Sequence, residues 1–207
     1  MKIFGIGLSR TGTKSLTKAL NMVGFSVNHF PRDKVTIRET KNYIDTGECN
    51  LAAAEEFDAV IDMVPVIMMR GLFKKYPDSK FILTIRELDA WTASMEGLYD
   101  RVLNRVLERQ GHIPGTIGNF IKFSHENIYG TEKFDKGIYR GVFKNYNKTM
   151  IEFFKGTNRL LVLDICSGEG WAKLCSFLEK KEKNVPFPLI KNVRSEDNNY
   201  EYQHIMR

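Results

Sequence analysis

Between Ser9 and Ser15 the chain reads Ser9-Arg10-Thr11-Gly12-Thr13-Lys14-Ser15, directly after the apolar run Ile3-Phe4-Gly5-Ile6-Gly7-Leu8. A glycine- and hydroxyl-rich turn joining a strand to a helix lets backbone N–H groups converge on an anion. The helix start adds unpaired donors and the positive end of its dipole. Arg10 and Lys14 place full charges beside that cradle, so the chemistry to expect is phosphate binding.

Two familiar nucleotide motifs fit it poorly. In the G-x-x-x-x-G-K-[ST] loop a lysine follows the second glycine, whereas here Thr13 stands between Gly12 and Lys14. A one-residue shift at a helix start turns both the lysine and the following hydroxyl by about 100°, away from the outer phosphates and Mg²⁺. A dinucleotide fingerprint beginning at Gly5 would place Arg10 where a small residue must let helix and strand approach.

A second pattern lies downstream. The buried run Phe81-Ile82-Leu83-Thr84-Ile85 ends in Arg86, and Ser94 follows eight residues later on a predicted helix. An arginine at a strand's carboxyl end and a serine about two turns into the next helix can both face one phosphate.

Taken together, strand, S-R-T-G-T-K-S, later strand and R-x7-S resemble the sulfotransferases that use 3′-phosphoadenosine 5′-phosphosulfate (PAPS). The first element resembles their loop for the 5′-phosphosulfate, P-K-S-G-T-T in cytosolic members. Arg10 takes the place of the loop lysine, Thr11 that of the serine, Gly12 and Thr13 match, and Ser9 replaces the proline. The second element resembles the Arg and Ser that hold the 3′-phosphate, which distinguishes PAPS from ATP. The string from Gly7 to Leu16 is closest to a sulfotransferase-like branch reading G-L-P-R-T-G-T-x-S-L. Phe57 to Asp62, Tyr76 to Arg86 with Trp91 and Ser94, Gly170 to Leu178, and Val185 to Pro188 extend the resemblance. It is thinnest from Leu103 to Tyr139.

The resemblance implies PAPS as sulfuryl donor, without a metal, and transfer to a hydroxyl or amine of a small-molecule, glycan or peptide acceptor. Cofactor contacts fall on Ser9, Arg10, Thr11, Gly12, Thr13, Lys14, Ser15, Arg86 and Ser94. Arg10 and Lys14 would stabilise charge on the departing bridging oxygen; a guanidinium does this electrostatically rather than by giving up a proton. The alternative role for Arg10 is plain anion positioning. A general base is also needed, and His29, just after one strand-like segment, and Asp62, ending another, are the candidates. His29 could equally be structural. Asp62 could instead cap the turn before Pro65, or hold Mg²⁺ in an ATP-dependent phosphotransferase, which is the rival enzyme reading. A non-catalytic nucleotide-binding module is the other rival.

These residues need a scaffold. Strands are predicted at Lys2–Gly7, Phe25–Asn28, Ala59–Asp62, Lys80–Ile85 and Arg159–Leu163. Helices are predicted at Lys14–Val23, Val66–Tyr76, Leu88–Glu108 and Trp171–Lys180. The alternation predicts an α/β fold of the P-loop three-layer type, with a central parallel sheet of about five strands. Helical pieces at Ile117–Tyr129 and Phe134–Phe154 form an insertion over about residues 109–154, placed to cover a ligand. Residues 1–190 are expected to form a single domain and 191–207 a polar tail.

The 207 residues are 43% hydrophobic, with no signal peptide or transmembrane span apparent, so a cytoplasmic protein is expected. A net charge of +6 is spread among acids rather than gathered into a tract, which suits an anionic small ligand better than nucleic acid. Cys49, Cys166 and Cys175 form no C-x-x-C pair, and Cys166 and Cys175 are expected to pack among apolar neighbours. Trp91, Trp171 and Pro186-Phe187-Pro188 read as packing rather than an adenine platform. His112, His125 and His204 lack metal-ligand spacing and are expected in loops, on helix faces and in the tail.

Overall fold

The computed structural model describes residues 1–100 and 115–190. Its strands are β1 (Ile3–Gly5), β2 (Val27–His29), β3 (Ala59–Ile61), β4 (Lys80–Thr84) and β5 (Leu160–Leu163). They form one sheet in the order β2-β3-β1-β4-β5, and every neighbouring pair is parallel. The chain moves to one side of β1 to lay down β2 and β3, then crosses to the other side for β4 and β5. That reversal makes a crevice beyond the carboxyl end of β1.

Alternation along the strands builds two cores. Ile3, Ala59, Ile61, Ile82 and Leu163 face α1 (Thr13–Met22) and α8 (Trp171–Leu178). Phe4, Val60, Phe81 and Leu83 face the opposite way. They meet α2 (Lys34–Thr46), α3 (Ala52–Glu56) and α4 (Met63–Lys75). The result is the expected α/β sandwich of three layers.

Between α5 (Leu88–Leu98) and β5 lie α6 (Gly115–Tyr129) and α7 (Lys136–Phe153), the helices expected of the insertion. Trp91, Met95 and Tyr99 pack with Ile121, Tyr129, Tyr139 and Phe143, and this third cluster reaches Leu8 and Val66. The helical layer therefore presses on the loop after β1. The parts of the predicted helix beyond residue 100, the start of the insertion, His112, His204 and the polar tail lie outside the described residues.

Three sequence readings need adjusting. The helices α2 and α3 were not anticipated: α2 carries β-branched Val35, Thr36, Ile37 and Thr40 and buries only Thr36, Ile37 and Thr40, a weak apolar stripe. Its legible signal is Asp33, whose side chain accepts from the Val35 and Thr36 amides as an N-cap. Helix α4 begins at Met63 rather than Val66, because Pro65 falls in the first turn, where its missing N–H costs nothing. Cys166 is exposed, contrary to expectation, whereas Cys175 is buried. On the tight turn Ile165–Ser167, Ile165 takes the inward position and turns its neighbour out. Among the described residues no helix is long and apolar enough to cross a membrane.

Candidate functional site

The loop after β1 is shaped by two glycines. A Cβ on Gly7 would stand 1.9 Å from Thr84 Oγ1 and 2.6 Å from the Thr84 carbonyl oxygen, so β1 and β4 meet there only because no side chain intervenes. Gly12, at φ 100°, is the N-cap of α1 and supplies no side-chain cap, leaving the first-turn amides to another acceptor. Arg10 between them also has positive φ, at 75°.

Side chains from distant elements fasten the loop. Thr11 Oγ1 donates to the Leu8 carbonyl at 2.6 Å and shares a 2.6 Å hydrogen bond with Thr84 Oγ1, so this hydroxyl faces the sheet. Trp91 Nε1 donates to the Ser9 carbonyl at 2.9 Å while its ring stacks on Phe143, 4.2 Å between centroids. Tyr146 Oη donates to the Ile6 carbonyl at 2.8 Å. The packing expected of Trp91 is present, and its indole N–H also holds the cradle. That second role went unread because the sequence cannot show which backbone carbonyl a buried indole reaches.

The two predicted elements converge. Arg10 Nε donates to Ser94 Oγ at 3.1 Å, and Arg86 Nη1 donates to the Arg10 carbonyl at 3.2 Å. Arg86 Nε is buried and lacks a hydrogen-bond partner. A buried guanidinium N–H left without an acceptor is costly, and beside an uncapped helix start it matches an anionic oxygen. Lys14 is exposed on the first turn of α1. Ser15 is buried and its Oγ accepts the Ile190 amide at 2.9 Å, tying the segment after α8 to this helix.

A second group sits on the other side of the loop. Asp62, 7% exposed, accepts from Ser9 Oγ at 2.7 Å and Thr13 Oγ1 at 3.3 Å and lies 3.3 Å from His29 Nε2. His29 Nε2 is also 3.1 Å from Thr13 Oγ1. Burial pushes the Asp62 carboxyl up, but His29, Ser9 and Thr13 together outweigh it and hold the pKa below its ordinary value. Asp62 occupies the N-cap position of α4 without capping it, at φ 86° and ψ −150°. The capping alternative is therefore not its role. Its strained backbone instead aims the carboxylate back at β2 and the loop.

A profile of the sulfotransferase domain matches residues 2–195. The chain belongs to the sulfotransferase family. Among curated proteins it is similar to Ava biosynthesis cluster protein M of Aspergillus versicolor, 21% identical over 224 residues, covering 97% of this chain and 86% of the relative.

In this sulfotransferase-family chain the anchoring roles of Trp91, Thr84 and Tyr146 are not legible in the sequence, because hydrogen bonds to the Ser9 and Ile6 carbonyls and to the Thr11 hydroxyl leave no motif. His125, expected on a loop or helix face, is buried in α6. Its Nδ1 lies 2.6 Å from Tyr99 Oη and 3.0 Å from Tyr139 Oη. Burial pushes this imidazole down to about 4, with Asp62 opposing.

Proposed function

We propose that this protein binds PAPS and transfers its sulfuryl group to a hydroxyl or amine of a small-molecule acceptor. The buried Arg86 Nε, orphaned beside the Arg10 carbonyl and the uncapped start of α1, carries the reading. PAPS supplies the sulfuryl group and leaves as adenosine 3′,5′-bisphosphate. Arg86 and Ser94 are the residues for its 3′-phosphate. Ser9 to Ser15 form the cradle for the 5′ end, chiefly through backbone N–H groups. Arg10, already oriented by Ser94, stands ready to stabilise negative charge on the leaving oxygen without losing its own proton.

His29 is the general base in this reading, and Asp62 is a positioning residue that acts through it. With the Nε2 proton held toward Asp62 Oδ2, the Nδ1 lone pair is left to accept a proton from the acceptor. The lowered Asp62 pKa keeps the carboxylate ionised to stabilise the imidazolium. Ser9 and Thr13 belong to both groups, which brings base and cradle within one turn of chain.

The ATP-dependent alternative is less well supported. It needs the hydroxyl after the lysine for Mg²⁺, yet Ser15 Oγ is bonded to the Ile190 amide. The name of the fungal relative, a biosynthesis cluster protein, supports a small-molecule acceptor. The test is calorimetric titration with adenosine 3′,5′-bisphosphate and, separately, ATP with Mg²⁺. Preference for the bisphosphate is expected; preference for ATP with Mg²⁺ would move the protein to the phosphotransferases.

A further inference from the structure

Four non-glycine residues among those described have a positive φ, and three of them, Arg10, Phe30 and Asp62, lie beyond the carboxyl ends of β1, β2 and β3. Phe30 is the least expected. At φ 53° its Cβ is crowded, as for any bulky L residue in the left-handed region. It also precedes the buried Pro31, and a residue before proline is pushed toward extended backbone. Local energetics oppose this conformation twice, so the surrounding structure must impose it.

One peptide unit shows what the conformation achieves. The Ile61 carbonyl accepts from the Phe30 amide at 2.9 Å, and the Asp62 amide donates to the Gly5 carbonyl at 3.2 Å. The peptide joining Ile61 to Asp62 is therefore clamped between β2 and β1. Both strands leave the sheet at that clamp through a positive φ, β2 at Phe30 and β3 at Asp62, whose φ is 86°. His29, in register with Ile61, is the last residue of β2 before the turn. The two turns leave His29 Nε2 3.3 Å from Asp62 Oδ2 and 3.1 Å from Thr13 Oγ1.

The Phe30 ring is what holds the backbone there. It stacks on Phe120 of α6, with centroids 6.3 Å and planes 13° apart. It packs both against the core that faces α2, α3 and α4 and against the third cluster beneath the loop after β1. With its amide fixed on Ile61, a negative φ would rotate the Cβ and carry the ring away from Phe120. Burial of the ring thus offsets the strain of the backbone.

We propose that Phe30 is a positioning residue for His29: its ring, packed on Phe120, holds a left-handed backbone that sets the imidazole against Asp62. This deepens the sulfuryl-transfer reading and rests on it only for the role of His29 as base. Phe30 acts through its backbone, and the ring serves to keep that backbone in place.

The test compares Phe30→Gly with Phe30→Ala in the full chain. Both lose the ring, but only glycine keeps a positive φ without strain. The readout is protonation of His29, followed by NMR of isotope-labelled histidine, with and without Asp62→Asn in each background. All variants are read in trimethylamine N-oxide, which favours the folded state of each. Removing the carboxylate should weaken His29 protonation by at least about threefold in the wild type and in Phe30→Gly. The effect should be less than half as large in Phe30→Ala, where the backbone relaxes and the pair separates. An effect in the alanine background that equals or exceeds that in the glycine background overturns the proposal, as does no effect in the wild type. The measurement uses no nucleotide, so a protein that fails to bind adenosine 3′,5′-bisphosphate sinks the sulfuryl-transfer reading while the NMR comparison still decides the part played by Phe30.

Discussion

Arg10 Nε donates to Ser94 Oγ at 3.1 Å, tying the loop after β1 to the middle of α5 across 84 positions of sequence. The same arginine's carbonyl accepts from Arg86 Nη1, so the residue proposed for the leaving group and those proposed for the 3′-phosphate are joined by hydrogen bonds. Ser94 fixes the orientation of the Arg10 guanidinium, and in the proposed reaction this would lower the reorganisation needed in the transition state.

Replacing Arg86 with alanine should weaken adenosine 3′,5′-bisphosphate more than adenosine 5′-monophosphate. A lost charged hydrogen bond of about 1.5–3 kcal/mol corresponds to roughly ten- to a hundredfold. Calorimetry on both nucleotides checks this; equal losses would remove Arg86 from the 3′-phosphate site.

Arg10→Ala should lower kcat by about a hundredfold or more while changing nucleotide affinity less, because its charge matters most as the leaving group develops negative charge. Ser94→Ala, which keeps the charge and loosens it, should cost about tenfold or less. Single-turnover rates at saturating donor separate the two, and an unchanged rate in Arg10→Ala would exclude it from the chemistry.

The Asp62 carboxyl titrates below its ordinary value of 3.8 in the folded state, so the unfolded chain binds this proton more readily. Its contribution to stability is complete above the ordinary value and is lost as pH falls through the lowered one. Urea unfolding between about pH 5 and pH 2 should show this loss in the wild type and a shallower one in Asp62→Asn. Parallel curves would place the acid sensitivity elsewhere.

His125 acts higher on the pH scale. Its imidazole is lowered by burial from 6.5 to about 4, so between those values the unfolded state holds the extra proton. Stability should therefore fall as pH drops from 6.5 toward 4, by roughly 3 kcal/mol at most. His125→Gln should flatten that limb in urea titrations while leaving the one assigned to Asp62 in place.

Gly7→Ala would force a Cβ to within 2.6 Å of the Thr84 carbonyl oxygen and 2.8 Å of its amide nitrogen. A loss of about 3 kcal/mol or more is expected. Thr84→Ala in the same chain should not restore stability, since the backbone contacts remain; a thermal melt of the double variant decides this.

Much of this was legible without coordinates, for a common reason. Strand, glycine turn and helix start are contiguous, so the loop from Ser9 to Ser15 is a local property of the sequence, as are the five strands and the placing of Arg86 at a strand end and Ser94 on the helix that follows. Helix α2 was illegible because its stripe of threonines and branched residues carries little apolar signal, although Asp33 marks its start. The sheet order and the partners of each polar atom are different in kind. That Asp62 turns from its capping position toward His29, that Trp91 reaches the Ser9 carbonyl, and that Ser15 is engaged by Ile190 depend on contacts between elements far apart in sequence. Such contacts arise only when the two apolar faces of the sheet are buried and the carboxyl ends of β1, β2, β3 and β4 are brought to one rim. The sequence by itself determined which chemistry was available, because residue type and local spacing set charge and hydrogen-bonding capacity. Tertiary packing decided which of those groups meet, because burial leaves each polar atom only the partners that the fold carries to it.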